Sequence, residues 1–136
     1  ALACNVSMLL LDEPTNGLDI PSQSVFRRLR AGYVDDSRMV VISTHQVADV
    51  ERLLDSIVIL DNMGVALAAT TQEICSKLKF GHANERAKAI YTESTIAGDL
   101  SVSINDDYED TMLNIELLFN ATTANRNAIA AIFNNK

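Results

Sequence analysis

Apolar residues come in short blocks along this chain, and the blocks change character past its middle. Residues 7–12, SMLLLD, form an apolar run bounded by polar residues and too short for a helix, which predicts a buried strand. Pro14, Asn16 and Gly17 then break the chain. Pro21 suits the first turn of a helix. Val25, Phe26, Leu29 and Tyr33 follow at helical spacing, so an amphipathic helix is predicted over residues 21–34. Residues 38–43, RMVVIS, predict a second buried strand, and Val47, Val50, Leu53 and Leu54 mark a short helix. Residues 56–61, SIVILD, predict a third strand and residues 65–69 a weaker one after Gly64. Residues 70–79 predict a helix capped by Thr70 or Thr71.

Apolar strands alternating with helices predict an α/β domain, its sheet covered on both faces and partly parallel. The pattern changes near Gly81. Residues 87–93 and 99–105 predict two strands around a turn containing Gly98. Leu100, Val102 and Ile104 alternate there with Ser101 and Ser103, as in a half-buried antiparallel strand. Two helical segments follow, lined by Met112, Ile115, Leu118 and Phe119 and by Ala128, Ile129, Ile132 and Phe133. The expected division is residues 1–80 and residues 81–136, the second part being α+β. The stripe of Ile129, Ile132 and Phe133 is expected to pack rather than to bind a ligand.

The candidate chemistry sits where the first strand ends, at Asp12 and Glu13. A strand delivers a carboxylate to the edge of a sheet, where ligands of open α/β sheets bind. One acid there can hold Mg²⁺ directly or through water, because Mg²⁺ keeps several waters. The other can orient or deprotonate an attacking water. Phosphoryl transfer needs mainly such positioning and charge neutralisation. Two solvated acids at a strand end also fit this dipeptide taken alone.

Composition narrows the classes. The formal charge is −7, with seven basic and ten acidic residues in 1–80 and four basic and eight acidic in 81–136. Both parts are acidic, so no nucleic acid partner is expected. Cys4 and Cys75 match no metal or redox spacing, and a reduced cytosolic compartment is the expectation. No apolar run approaches the roughly 20 residues of a membrane span, and no signal peptide is visible. Asp106, Asp107, Glu109 and Asp110 form an acidic cluster without the glycine and ligand spacing of a calcium loop. Acids at a helix N-terminus are the expected explanation.

The stretch MLLLDEPTNGLD, Met8 to Asp19, resembles the Walker B motif and D-loop of ATP-binding cassette (ABC) ATPases. The segment VVISTHQVADVERLLDSIVIL follows in the family's order and at its spacing, and its His45 resembles the switch histidine. The resemblance covers about residues 1–80. It implies the C-terminal part of a P-loop NTPase core of the ABC type, followed by a small α+β extension. It implies ATP and Mg²⁺ as cofactors, with Asp12 supporting the Mg²⁺ shell through water and Glu13 acting as catalytic base. Gly17 and Asp19 would cross toward a partner cassette, and His45 would sense the γ-phosphate. Taken alone, His45 also fits an exposed strand end, and Asp19 a helix cap.

The same resemblance implies an ATPase subunit of a transporter, paired with a second cassette. It would lie at the cytoplasmic face of a membrane through a permease, without inserting itself. A soluble non-transport ABC ATPase and a C-terminal interaction module remain the alternatives. One departure from the family is plain. No G-x-x-x-x-G-K-[ST] loop, signature motif or glutamine loop occurs in the sequence. Truncation is the expected reason, with an active parent and an inactive fragment.

Overall fold

The computed structural model describes residues 7–14, 38–45, 47, 50–83 and 88–134. The predicted helix over residues 21–34 lies outside the described residues, as do Cys4, Gly17 and Asp19. Two compact units divide the chain, residues 1–52 and 53–136.

In the first unit, β1 (Met8–Asp12) and β2 (Met39–Ser43) pair in parallel, with Met8 opposite Met39 and Asp12 opposite Ser43. Both strands were predicted, and their parallel pairing matches the α/β expectation. Period-2 alternation leaves Met8, Leu10, Met39 and Val41 exposed on one face, Leu10 at 68%. Full cover on both faces is therefore not what the described residues show. The short helix expected after His45 is a 3-10 turn at Glu51–Leu53.

The second unit begins with an antiparallel hairpin of β3 (Ser56–Asp61) and β4 (Gly64–Thr70). The turn is locally encoded. Asp61 Oδ1 accepts a hydrogen bond from the Met63 N–H at 2.7 Å, and Gly64 adopts φ +102°, which a side chain disfavours. A bulge opposite Ile59 and Leu60 inserts one residue into β4, and Ala66 and Leu67 are both buried in consequence. With Ile57 and Ile59 they form the inner face, while Val58, Leu60 and Val65 are exposed.

The helix α1 (Thr71–Lys77) starts at Thr70, whose Oγ1 accepts from the Glu73 N–H at 3.1 Å. It ends two residues before the predicted position, because Leu78 enters β5 (Leu78–His82). Residues 80 and 81, where the sequence pattern changes, lie within this strand. β5 and β6 (Ala89–Thr95) flank β7 (Gly98–Ile104), both antiparallel to it. The β6–β7 turn is closed by Thr95, whose Oγ1 accepts from the Ala97 N–H and donates to the Gly98 carbonyl. Instead of one alternating sheet, the described residues form three small sheets in a mixed α/β arrangement.

Helices α2 (Ile115–Ala124) and α3 (Arg126–Asn134) complete this unit. Asn114 caps α2 by accepting from the Leu117 N–H at 2.9 Å. α2 lies on β6 and β7 and on the hairpin, and its Leu117, Leu118 and Ala121 join Ile74, Leu78, Val102 and Ile129 in the core. α3 is tied down at both ends. Arg126 pairs with Asp61 and donates to the Val65 carbonyl at 2.8 Å. Near its other end, Lys77 Nζ donates to the Ile132 carbonyl and sits 4.9 Å from the Phe133 ring centroid.

Candidate functional site

Parallel pairing brings β1 and β2 to a common C-terminal edge. Asp12 is the last residue of β1, opposite Ser43, the last of β2. Ser43 Oγ donates to Asp12 Oδ1. The Glu13 N–H then donates to the Ser43 carbonyl at 2.8 Å, which carries the pairing one step past the strands. Glu13 has φ +41°, a left-handed conformation uncommon for a side-chain-bearing residue. Pro14 follows and favours extended backbone at the residue before it, so the conformation opposes two local preferences. Such strain persists where surrounding contacts hold it.

Those contacts come from the loop leaving β2. His45 Nδ1 lies 2.8 Å from Glu13 Oε1, and the His45 backbone N–H reaches the same oxygen at 3.2 Å. Thr44 Oγ1 donates to Glu13 Oε2 at 3.2 Å. Both carboxylate oxygens of Glu13 are thus engaged, 31 and 32 residues away in sequence. The His45 hydrogen bond, aided by Thr44, holds the Glu13 carboxyl below the usual carboxylate range, against a smaller opposing effect of desolvation. A carboxylate only accepts, so Nδ1 carries the shared proton. In a neutral ring Nε2 is then an acceptor. The imidazole is 68% exposed and Glu13 31%, which leaves the pair open to a ligand.

Among the predicted site residues, the structure brings Asp12, Glu13 and His45 together at one edge. Sequence reasoning assigned no site role to Ser43 or to the Thr44 hydroxyl. The adjacency of both to His45 was the available signal. Among the described residues, no group of three or more His, Cys, Asp and Glu side chains is arranged to hold a metal. Asp12 beside the Ser43 hydroxyl is a hard oxygen set that fits Mg²⁺, an ion that takes one or two carboxylates and completes its shell with water and substrate phosphate.

The acidic cluster has another explanation than the one expected. The helix begins at Ile115, beyond Asp110, so these acids do not stabilise its first turn. Lys79 bridges Asp107 and Glu109, and its hydrogen bond lowers the Asp107 pKa. Asn105 organises the same loop, donating to the Cys75 and Glu109 carbonyls and accepting from the Glu109 N–H. Among the described residues, no helix is long and apolar enough to cross a membrane.

No family model matches the chain. Three similar proteins nevertheless share the description ATP-binding protein. The daunorubicin/doxorubicin resistance ATP-binding protein DrrA of Streptomyces peucetius is 30% identical over 117 residues, covering 81% of this chain and 34% of that protein. An uncharacterized ABC transporter ATP-binding protein of Methanocaldococcus jannaschii is 28% identical over 89 residues, 65% of this chain and 34% of its own length. The energy-coupling factor transporter ATP-binding protein EcfA2 of Latilactobacillus sakei is 35% identical over 74 residues, 54% and 25% of the two chains. The chain is thus a distant, partial homologue of ABC transporter ATP-binding proteins, and its match spans between 25% and 34% of their length.

Proposed function

We propose that this chain is the hydrolytic part of an ATP-binding, ATP-hydrolysing subunit of an ABC transporter. The observation that carries the reading is the contact between Glu13 and His45 at the edge where Asp12 also ends its strand. Glu13 is the base that orients and polarises the attacking water. Asp12 would hold Mg²⁺, directly or through water, and the bound ion would supply neutralisation of phosphate charge. His45 approaches the γ-phosphate. To donate there from Nε2 while keeping its bond to Glu13, the ring must carry a second proton. Otherwise it must release Glu13 and present the other tautomer.

The groups that grip the β- and γ-phosphates are assigned to sequence outside these 136 residues. Two facts support this: the chain contains no phosphate-loop motif, and its match covers only 34% of the length of each of two relatives. Gly17 and Asp19 belong to the loop that meets a second ATPase subunit. A permease subunit holds the assembled pair at the cytoplasmic face of a membrane. The transporter names of two of the relatives support that placement. Residues 1–80 are assigned to the catalytic core and 81–136 to an extension serving dimer contacts or regulation.

The deciding experiment is Glu13→Gln in the longer protein. Hydrolysis should fall by about 10²–10⁴-fold, the usual contribution of a general base, while ATP still binds. Wild-type turnover in that variant would overturn the assignment.

A further inference from the structure

Two hydroxyls from β2 and its loop stand against the two carboxylates, one residue apart in each segment. Ser43 donates to Asp12, its register partner, and Thr44 donates to Glu13 one step further on. Glu13 is held from two sides, with His45 on Oε1 and Thr44 on Oε2. Two different donors on the two oxygens define the plane of the carboxylate as well as its position. One donor would leave it free to swing about that bond.

Magnitude separates positioning from a merely structural role. Ser43 is exposed and Thr44 half-buried, and hydrogen bonds in such settings exchange readily with water and contribute little to stability. The Glu13 side chain has three rotatable bonds and starts from a strained backbone. Restricting it matters far more to a reaction that depends on orientation. We propose that Ser43 and Thr44 are positioning residues. Thr44 sets the Glu13 carboxylate for the attacking water, and Ser43 sets Asp12 for Mg²⁺. This rests on the roles given above to Glu13 and Asp12.

The test uses the longer ATPase, with Thr44→Val, Thr44→Ser, Ser43→Ala and Glu13→Gln compared under saturating MgATP and across a Mg²⁺ titration. Thr44→Val should lower kcat on the order of tenfold and change KM for MgATP by less than about twofold, because the lost contact acts on chemistry rather than on binding. Thr44→Ser, which keeps the hydroxyl, should recover most of that loss. Ser43→Ala should raise several-fold the Mg²⁺ concentration giving half-maximal rate, and likewise the Mg²⁺ concentration giving half-maximal ATP binding by calorimetry. If Thr44→Val does not fold, Thr44→Ala replaces it, and a Thr44→Ser rate as low as that of Thr44→Ala overturns the role of the hydroxyl. Inactive Glu13→Gln together with wild-type kcat in Thr44→Val and wild-type Mg²⁺ dependence in Ser43→Ala overturns the positioning and leaves the site reading intact. Wild-type turnover in Glu13→Gln removes the site reading, and the positioning with it.

Discussion

His45 donates its Nδ1 proton to Glu13 Oε1 across 2.8 Å, and its own backbone N–H reaches the same oxygen. One residue therefore holds the carboxylate through both its ring and its main chain. The backbone contact survives loss of the ring.

His45→Ala in the longer protein should accordingly slow turnover and have a smaller effect on ATP affinity. Glu13 keeps the backbone N–H of residue 45 and the Thr44 hydroxyl, while the ring proposed to approach the γ-phosphate is gone. Steady-state hydrolysis alongside nucleotide binding measures both quantities. A variant that binds poorly yet keeps its rate at saturation would show that His45 is not the sensor.

The 136-residue chain alone should bind MgATP negligibly. Its described edge presents carboxylates and a single imidazole, and a triphosphate needs many backbone and lysine donors. Titration calorimetry checks this. Micromolar affinity would mean that the phosphate-gripping groups are within the chain after all.

Leu118→Ala should destabilise the chain by about 2–5 kcal/mol, the range for truncating a buried leucine. Leu118 is fully buried on α2, which packs on β6, β7 and the β3–β4 hairpin, so a cavity there loosens several elements together. Urea denaturation followed by far-UV circular dichroism gives the value.

Acid should weaken the tie between α3 and the β3–β4 hairpin. The Arg126 guanidinium, with help from the Met63 N–H, holds the Asp61 carboxyl below its ordinary value of 3.8. A carboxylate with a lowered folded-state pKa contributes fully above its unfolded value. That contribution declines as pH falls below 3.8 and is gone once the folded value is passed. Arg126→Met should lower the urea midpoint near neutrality and flatten its decline through this window. Added salt should shrink the difference, since both side chains are partly exposed. An acid limb as steep as in the wild type would show that another carboxylate governs it.

The sequence by itself determined the strands at β1 and β2, the place of Asp12 and Glu13 at a strand end, the caps and turns, and the two final helices. These features depend on neighbours within a few residues. An apolar run bounded by polar residues, a threonine before a helix and a glycine with positive φ each act locally. β5 escaped prediction because Leu78–His82 becomes a strand through pairing with β7, which begins 16 residues beyond His82. Lys79 likewise meets Asp107 and Glu109 only after that sheet forms, and the acidic cluster therefore read as a helix start. At the candidate site, sequence named Asp12, Glu13 and His45. Tertiary structure decided that Ser43 faces Asp12 and that Thr44 and His45 divide the oxygens of Glu13. Parallel register is the physical reason: it aligns two segments 31 residues apart, and a shift of one residue would turn each hydroxyl to the opposite face.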